Sequence, residues 1–284
     1  MAEEVQNLWV GGFNPSLYKL LVNSFENKEF KTEVTLNQSE GMRIDFIKQK
    51  DVEHAEIMVN CSCWDDIKDC DVEAYVKKNL GDVIRPCTKL HVNLYLEVPK
   101  AEYEKEGDSY LKKVASVHEY ILAAPFYKYL KALQDGSLSS LYPKILSFYL
   151  HEPIYIIPKS TSVSIVFSIN ETDDTDRSLM QVFLLEFSEA KRTVVGSPSV
   201  TFSRDEPNDI HGMVKEKPSV GFLSFAFNEE NVAGNRAEKA AALLSSFRFY
   251  LDYHVKSSKT FLHGRMRNRA EQWKNCRLWE QCGL

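Results

Sequence analysis

The sequence predicts an α/β protein (α+β-like), made of two similar α/β domains and closed by a long C-terminal helix. Short strand-like runs alternate with stretches of helical periodicity, and the same order of elements recurs in each half of the chain. The last part, 236–275, contains no proline and keeps a helical spacing of apolar residues. A chain of 284 residues can form two such domains, which we place at 1–150 and 151–284.

The first half opens with apolar residues at helical spacing, from Leu17 to Phe25. Three strand-like runs follow, at 32–36, 42–47 and 55–62. Residues 71–80 then predict a short helix, and 90–98 a strand whose apolar residues alternate with polar ones. A helix is expected over 109–134, and Pro125 should kink or divide it.

A stretch rich in glycine and serine at 135–140, followed by Pro143, marks the expected passage to the second half. Runs rich in β-branched and aromatic residues predict strands at 154–157, 162–169, 200–203 and 221–228. Residues 177–192 between them have helical spacing. Each half therefore consists of strands, a helix, a strand and a final helix.

The final helix is the most informative element. Asn235 is a suitable N-cap, and Glu238 completes a pattern that resembles a capping box. About 40 residues at a rise of 1.5 Å make a rod of about 60 Å, which is longer than a domain of about 150 residues is wide. The helix should therefore extend beyond its own domain, and an apolar stripe on the extension favours a partner helix.

Charge is distributed unevenly. The net charge is −5 overall, but residues 248–277 hold eight basic and two acidic residues, a balance of +6. The rest of the chain is therefore at −11. An acidic body with a basic rod favours an acidic partner, such as an actin-like filament, a membrane surface or nucleic acid, and a solvated helix face is the alternative.

Composition and motifs exclude several classes. With 44% hydrophobic and 26% charged residues the chain is not disordered, and no apolar run is long enough to span a bilayer. The N-terminus does not resemble a secretory signal, so we expect a soluble intracellular protein. No phosphate-binding loop, dinucleotide fingerprint or nucleophile elbow occurs, and we expect no catalytic residues and no cofactor.

Cys61 and Cys63 form a Cys-x-Cys motif within a strand-like run, where both side chains face the same way. The motif lacks the two-residue gap and the second ligand pair of a zinc site. We therefore interpret the pair as buried structural thiols and expect no metal site.

Residues 253–267, YHVKSSKTFLHGRMR, closely resemble the signature of the p34-Arc family, subunit 2 of the actin-related protein 2/3 (Arp2/3) complex. The segments PIYIIPKSTSVSIVFSINETDD, SLMQVFLLEFSEAKR and VTFSRDEP are similar to the hairpin, helix and strand of the family's second domain. The resemblance covers about 32–269 and is weaker in the first half. The remaining ends differ from the family, which indicates a divergent paralogue or isoform.

The resemblance implies two α/β domains and a scaffold subunit that catalyses nothing. In the family the long helix pairs with a helix of subunit 4 and grips the side of the mother actin filament. Positions that would pack against the partner helix are Phe247, Tyr250, Leu251, Tyr253, His254, Val255, Leu262 and Met266. Positions that match the basic segment for partner and filament contact are Lys256, Lys259, His263, Arg265, Arg267 and Arg269.

A subunit of this kind belongs in the cytoplasm and cytoskeleton, including cell projections. The alternative function is binding of nucleic acid or anionic lipid through the basic helix. The acidic body and the lack of a recognisable RNA-binding module argue against nucleic acid.

Overall fold

Two antiparallel sheets organise the chain in the computed structural model, which describes residues 12–27, 29–37, 41–89, 91–191 and 196–274. The first half consists of α1 (Pro15–Glu26), β1 (Thr32–Asn37), β2 (Met42–Lys48), β3 (His54–Cys61), α2 (Trp64–Ile67), α3 (Val72–Leu80), β4 (Leu94–Pro99), α4 (Lys100–Glu106), α5 (Asp108–Ala115) and α6 (Val117–Gln134). The second consists of β5 (Lys144–Tyr149), β6 (Glu152–Pro158), β7 (Ser162–Ile169), α7 (Asp174–Lys191), β8 (Ser199–Ser203), β9 (Gly221–Asn228), α8 (Glu229–Val232) and α9 (Arg236–Lys274). Short 3-10 turns lie at Leu138–Ser140 and Asn208–Ile210.

The first sheet has the strand order β1-β2-β3-β4. Buried and more exposed residues alternate along β2, since one face of the sheet packs on helices and the other meets solvent. Beyond β4, Ile84 forms an isolated antiparallel bridge with Leu96. This bridge occupies the edge position that a fifth strand would take.

The second sheet has the order β5-β6-β7-β9-β8. Here β8 occupies the edge beside β9, as Ile84 does beside β4 in the first sheet. Each half is thus a three-strand meander, a helix, an edge segment, a returning strand and a long helix. The predicted pair of similar α/β units is confirmed at the level of element order.

One hydrophobic core joins the two halves. The helices α6 and α9 lie antiparallel. The end of α6 meets the start of α9, where Gln134 Nε2 donates to Gly234 O (3.0 Å). Phe126 in the middle of α6 and Phe247, about three turns into α9, contact the same ring, Phe167, with centroids 6.3 and 5.2 Å away. The terminal helices of the two halves therefore pack together and against the second sheet.

Several local expectations need correction. The boundary proposed near residue 150 falls too late, because β5 already pairs with β6 in the second sheet and the connection between the sheets occupies 135–143. Pro125 does not divide α6, which is almost completely buried, and the break falls instead at Ser116. The strand expected over 90–98 begins only at Leu94.

The reciprocal cap lies one helix earlier than expected. Asn228 and Asn231 cap each other at the start of α8, while Glu238 in the first turn of α9 pairs with Lys78 (3.3 Å). The expectations for the N-terminal segment, for the end of the chain after Lys274, for Leu90 and for Arg192 lie outside the described residues. None of the helices described is long and apolar enough to cross a membrane.

Candidate interaction surfaces of the long helix

The inward stripe of α9 belongs to the core of the chain itself. Phe247, Leu251 and Val255 are at most 2% exposed, and the Phe247 ring lies 5.2 Å from Phe167 and 5.4 Å from Phe225, centroid to centroid. These three residues, expected to pack against a partner helix, are not accessible to one. Spacing identified them as apolar helix positions but did not indicate which body they face.

Arg248 links α9 to the second sheet through hydrogen bonds and an ion pair. Its Nε donates to Glu152 Oε2 (2.7 Å), its Nη2 donates to Asn170 O (3.2 Å), and its Nη1 pairs with Asp252. Burial by itself would lower the pKa of Arg248, but the hydrogen bond and charge of Glu152, assisted by Asp252, outweigh it and raise that pKa. Arg248 was counted within the basic segment, yet its charge is neutralised inside the fold.

Lys259 is the last anchoring contact along α9. Its Nζ lies 2.7 Å from Asp176 Oδ1 and 3.1 Å from Asp173 Oδ1, in the first turn of α7 and just before it. Hydrogen bonds to Asp176 and then Asp173 raise the pKa of Lys259. The acidic run 171–176 therefore binds the helix through Asp173 and Asp176. Lys259 is correspondingly less suited to contact a filament than the sequence suggested.

An outer band of apolar side chains covers the docked half of α9. Leu243, Phe249 and Tyr253 are 38, 67 and 47% exposed. Tyr250 and His254 are half-buried beside them, and the His254 ring stacks on Phe183 of α7 (5.7 Å, 12°). Burial lowers the pKa of His254, which favours the neutral imidazole. We call Leu243, Phe249, Tyr250, Tyr253 and His254 the outer band.

Past Lys259 the helix stands away from the body, as the sequence predicted. Every residue from Thr260 to Trp273 is exposed, a length of about 21 Å at 1.5 Å per residue. The spacing that buries Leu251 and Val255 continues here as Leu262, Met266 and Trp273, which are 42, 69 and 66% exposed. We call Thr260–Trp273 the overhang.

The basic residues flank this apolar stripe on two sides. Lys256, His263 and Arg267 share one face by their spacing, and Arg265 and Arg269 share the other. The Arg265 guanidinium also lies over the Phe261 ring (5.8 Å). Within the residues described, no carboxylate lies at ion-pair distance from Lys256, Arg265, Arg267 or Arg269. Their charges are available to an acidic partner.

Nothing in the described ranges groups three or more His, Cys, Asp or Glu side chains for a metal ion. The distinctive feature of the molecule is an exposed helix with an apolar band, an apolar stripe and unpaired basic residues. Such a helix on an α/β body is typical of a subunit of a larger assembly.

The chain belongs to the p34-Arc family. The family model described as "Arp2/3 complex, 34 kD subunit p34-Arc" matches residues 57–276, which include most of β3, β4, the whole second sheet and the long helix. This finding confirms the resemblance of residues 253–267 and supports the weaker resemblance of the first half from residue 57 onward.

Three curated relatives agree with this assignment. "Actin-related protein 2/3 complex subunit 2A" of Arabidopsis thaliana is 31% identical over 174 residues, 59% of this chain and 54% of that protein. "Actin-related protein 2/3 complex subunit 2" of Dictyostelium discoideum is 24% identical over 264 residues, 91% and 88%. The protein of the same name from Schizosaccharomyces pombe is 28% identical over 200 residues, 63% and 62%. The match to the Arabidopsis protein thus spans about half of that relative's length.

Proposed function

We propose that the chain is a non-enzymatic scaffold subunit of the Arp2/3 complex that supports nucleation of branched actin filaments and contacts the mother filament. Membership of the p34-Arc family and the exposed apolar and basic surfaces of α9 support this proposal. The observation that carries it is the overhang, since an isolated protein gains no stability from 14 helical residues that are all exposed and pack on no other part of the described chain. The proposed location is the cytoplasm and cytoskeleton, including cell projections.

We place the helix of subunit 4 on the outer band of the docked half. Phe249 and Tyr253 are exposed there, and Val182 and Leu185 on α7, the helix that packs against α9, are also 59 and 48% exposed. Large exposed apolar patches mark protein–protein contacts, and aromatic side chains contribute most of their binding energy. Tyr250, Tyr253 and His254, expected from the resemblance, belong to this surface, and Leu262 and Met266 extend the apolar surface beyond the body.

Phe249→Asp combined with Tyr253→Asp is expected to abolish assembly with subunit 4 while the chain stays folded. Both side chains are at least 47% exposed, so carboxylates there remain hydrated in the free chain but would be buried in the complex. Co-expression with subunit 4 followed by size-exclusion chromatography measures the result. Leu262→Asp with Met266→Asp makes the same kind of change in the overhang. Comparing the two double variants shows which of the two apolar surfaces, the outer band or the overhang, binds subunit 4. A double variant at 249 and 253 that still co-elutes with subunit 4 would remove the outer band from the proposal.

For the filament we propose Lys256, His263, Arg265, Arg267 and Arg269, with Lys259 excluded from direct contact by its pairing with α7. A row of exposed positive charges attracts an acidic polymer over a distance that salt shortens. The contact is therefore electrostatic and depends on ionic strength.

Lys256→Ala with Arg267→Ala is expected to weaken co-sedimentation of the assembled complex with actin filaments, more at low salt than at high salt. The two charges share a helix face, and the Debye length falls to about 10 Å at 0.1 M salt. Lys19→Ala with Lys105→Ala removes the same charge from exposed sites on the first half and should leave sedimentation unchanged. Equal losses for both pairs would indicate a net-charge effect instead of a binding face.

Anionic lipid is the second candidate partner. The exposed Phe261, Met266 and Trp273 between arginines form the pattern of a helix that lies in a membrane interface. Vesicles of mixed anionic and neutral lipid, used in place of filaments, test it. Binding to such vesicles with a steep loss in salt, and none to filaments, would favour this alternative.

A further inference from the structure

Two thiols lie against each other at the end of the first sheet. The Sγ atoms of Cys61 and Cys63 are 2.9 Å apart, and the two residues are 4 and 3% exposed. The sulfurs of a disulfide are separated by about 2.05 Å, so a movement of less than about 1 Å would bring these two to bonding distance. The sequence predicted the shared direction of these side chains but not their contact.

The backbone holds this arrangement on both sides. Cys61 N donates to Asn93 Oδ1 (2.6 Å), and Ser62 N donates to Gly41 O (3.1 Å). Gly41 has a φ of 66°, and a Cβ placed there would lie 2.3 Å from Ser62 Oγ, so the turn fits closely against the start of β2. The two thiols are thereby fixed on the same side of a short turn.

A small oxidant can approach this turn. An open cavity of about 580 Å³ lies at the junction of the two halves, and Gly41, Ser62, Ser147, Tyr149 and Met213 are among its lining residues. Ser62, between the two cysteines, is itself exposed to it. The residue between the two cysteines is therefore in contact with solvent, although the cysteines themselves are almost fully buried.

We propose that Cys61 and Cys63 form a reversible intramolecular disulfide when the protein meets hydrogen peroxide. The thiolate of one cysteine attacks a peroxide oxygen, the O–O bond breaks, and water leaves once its oxygen is protonated, giving a sulfenic acid. The second sulfur attacks the sulfenic sulfur, the S–O bond breaks and a second water leaves. Two thiols lose two protons and two electrons, and one peroxide becomes two waters.

The surroundings set the rate and the product. The hydrogen bond with Cys61, followed by burial, raises the pKa of Cys63, so little thiolate is present and the first step is slow. The second step is fast because the partner sulfur already lies in contact, so it precedes oxidation to sulfinic acid. Cys70 is also buried, and burial raises its pKa to about 12. Its thiol, however, contacts the Asp69 carboxylate (3.7 Å), whereas the thiol of Cys63 contacts that of Cys61, so Cys70 serves as the buried cysteine for comparison.

The pair lies where the two sheets meet. Cys63 immediately precedes α2, and Asp66 in α2 accepts a hydrogen bond from Ser147 N of β5 (3.0 Å). A disulfide that changes the turn at 61–63 therefore changes the start of the helix that joins the first half to the second sheet.

Peptide mass spectrometry tests the proposal on the full-length folded chain. Trypsin releases residues 51–68 with both cysteines, 69–77 with Cys70 and 79–89 with the half-buried Cys87. After peroxide treatment, alkylation in denaturant and digestion, peptide 51–68 is expected to be unalkylated and to lose two hydrogens, about 2 Da. Dithiothreitol before alkylation should restore two alkylation sites on it, while 69–77 should carry its alkyl group throughout. Sulfoxide at Met58 adds one oxygen and is read separately.

Two results would overturn the proposal. One is full alkylation of peptide 51–68 after a dose of peroxide that oxidises Cys87. The other is sulfinic or sulfonic acid on Cys61 or Cys63 in place of the disulfide. Cys63→Ser, which keeps the size of the side chain, should convert the product to a sulfenic or sulfinic acid on Cys61. If that variant does not fold, the peptide masses of the unaltered chain still decide between the outcomes.

Discussion

Leu251→Asp combined with Val255→Asp is expected to unfold the second half of the chain, not to yield a folded subunit that fails to assemble. Both residues are at most 2% exposed and lie in the core shared by the two sheets. Removing a buried aliphatic side chain costs about 2–5 kcal/mol, and a buried carboxylate without a partner adds to that cost. A typical domain is stable by only about 5–15 kcal/mol.

Circular dichroism and urea titration measure this effect. Leu262→Asp with Met266→Asp is the control, since it makes the same kind of substitution on the same helix face, about three turns further along, where both side chains are exposed. The control should retain the stability of the unaltered chain. Normal stability of the 251 and 255 variant would mean that α9 is not docked on its own body.

Arg248→Met should produce the second large loss. It leaves the Glu152 carboxylate, whose side chain is 7% exposed, buried without its cation. Breaking a buried ion pair from one side costs about 3–5 kcal/mol, mostly through the charge that remains. The free energy of unfolding from urea titration should fall by about that amount.

A second substitution distinguishes charge from packing. Adding Glu152→Gln to Arg248→Met removes the remaining charge and keeps an oxygen that can accept from Asn170 N, so most of the lost stability should return. Lys105→Met, which breaks an exposed pair with Glu102, should change nothing measurable. If the double variant is as unstable as Arg248→Met alone, then packing of the arginine stem, not its charge, is what matters.

Elements with strong local patterns were predictable from the sequence. The strands Ser162–Ile169 and Gly221–Asn228 were placed at the observed bounds, and the start of α9 at the observed residue, Arg236. β5 was missed because Pro143 and the glycine- and serine-rich segment before it mark a boundary, and six residues of mixed polarity do not outweigh that signal. It belongs to the second sheet because it pairs with β6 across a two-residue turn at 150–151.

For the candidate surfaces too, the local pattern was predictable from the sequence, but the contacts formed by the fold were not. Periodicity identified α9 as apolar on more than one side but could not say which side faces its own body, so Phe247, Leu251 and Val255 were placed with Tyr250 and Tyr253. Charge counting likewise treated Arg248 and Lys259 as free cations. Their partners Glu152 and Asp176 lie 96 and 83 positions earlier in the chain, and only the fold brings them together.

Treated as a rigid rod, the overhang would tilt about the contact of Lys259 with α7. From that point to Trp273 the rod is about 21 Å long, so a tilt of about 10° moves its tip by about 4 Å. Small strains in the body, at Arg248 or along α7, would thus be amplified into displacements at the far end. A partner held by the tip would register motions of the core that are too small to alter the core's own packing.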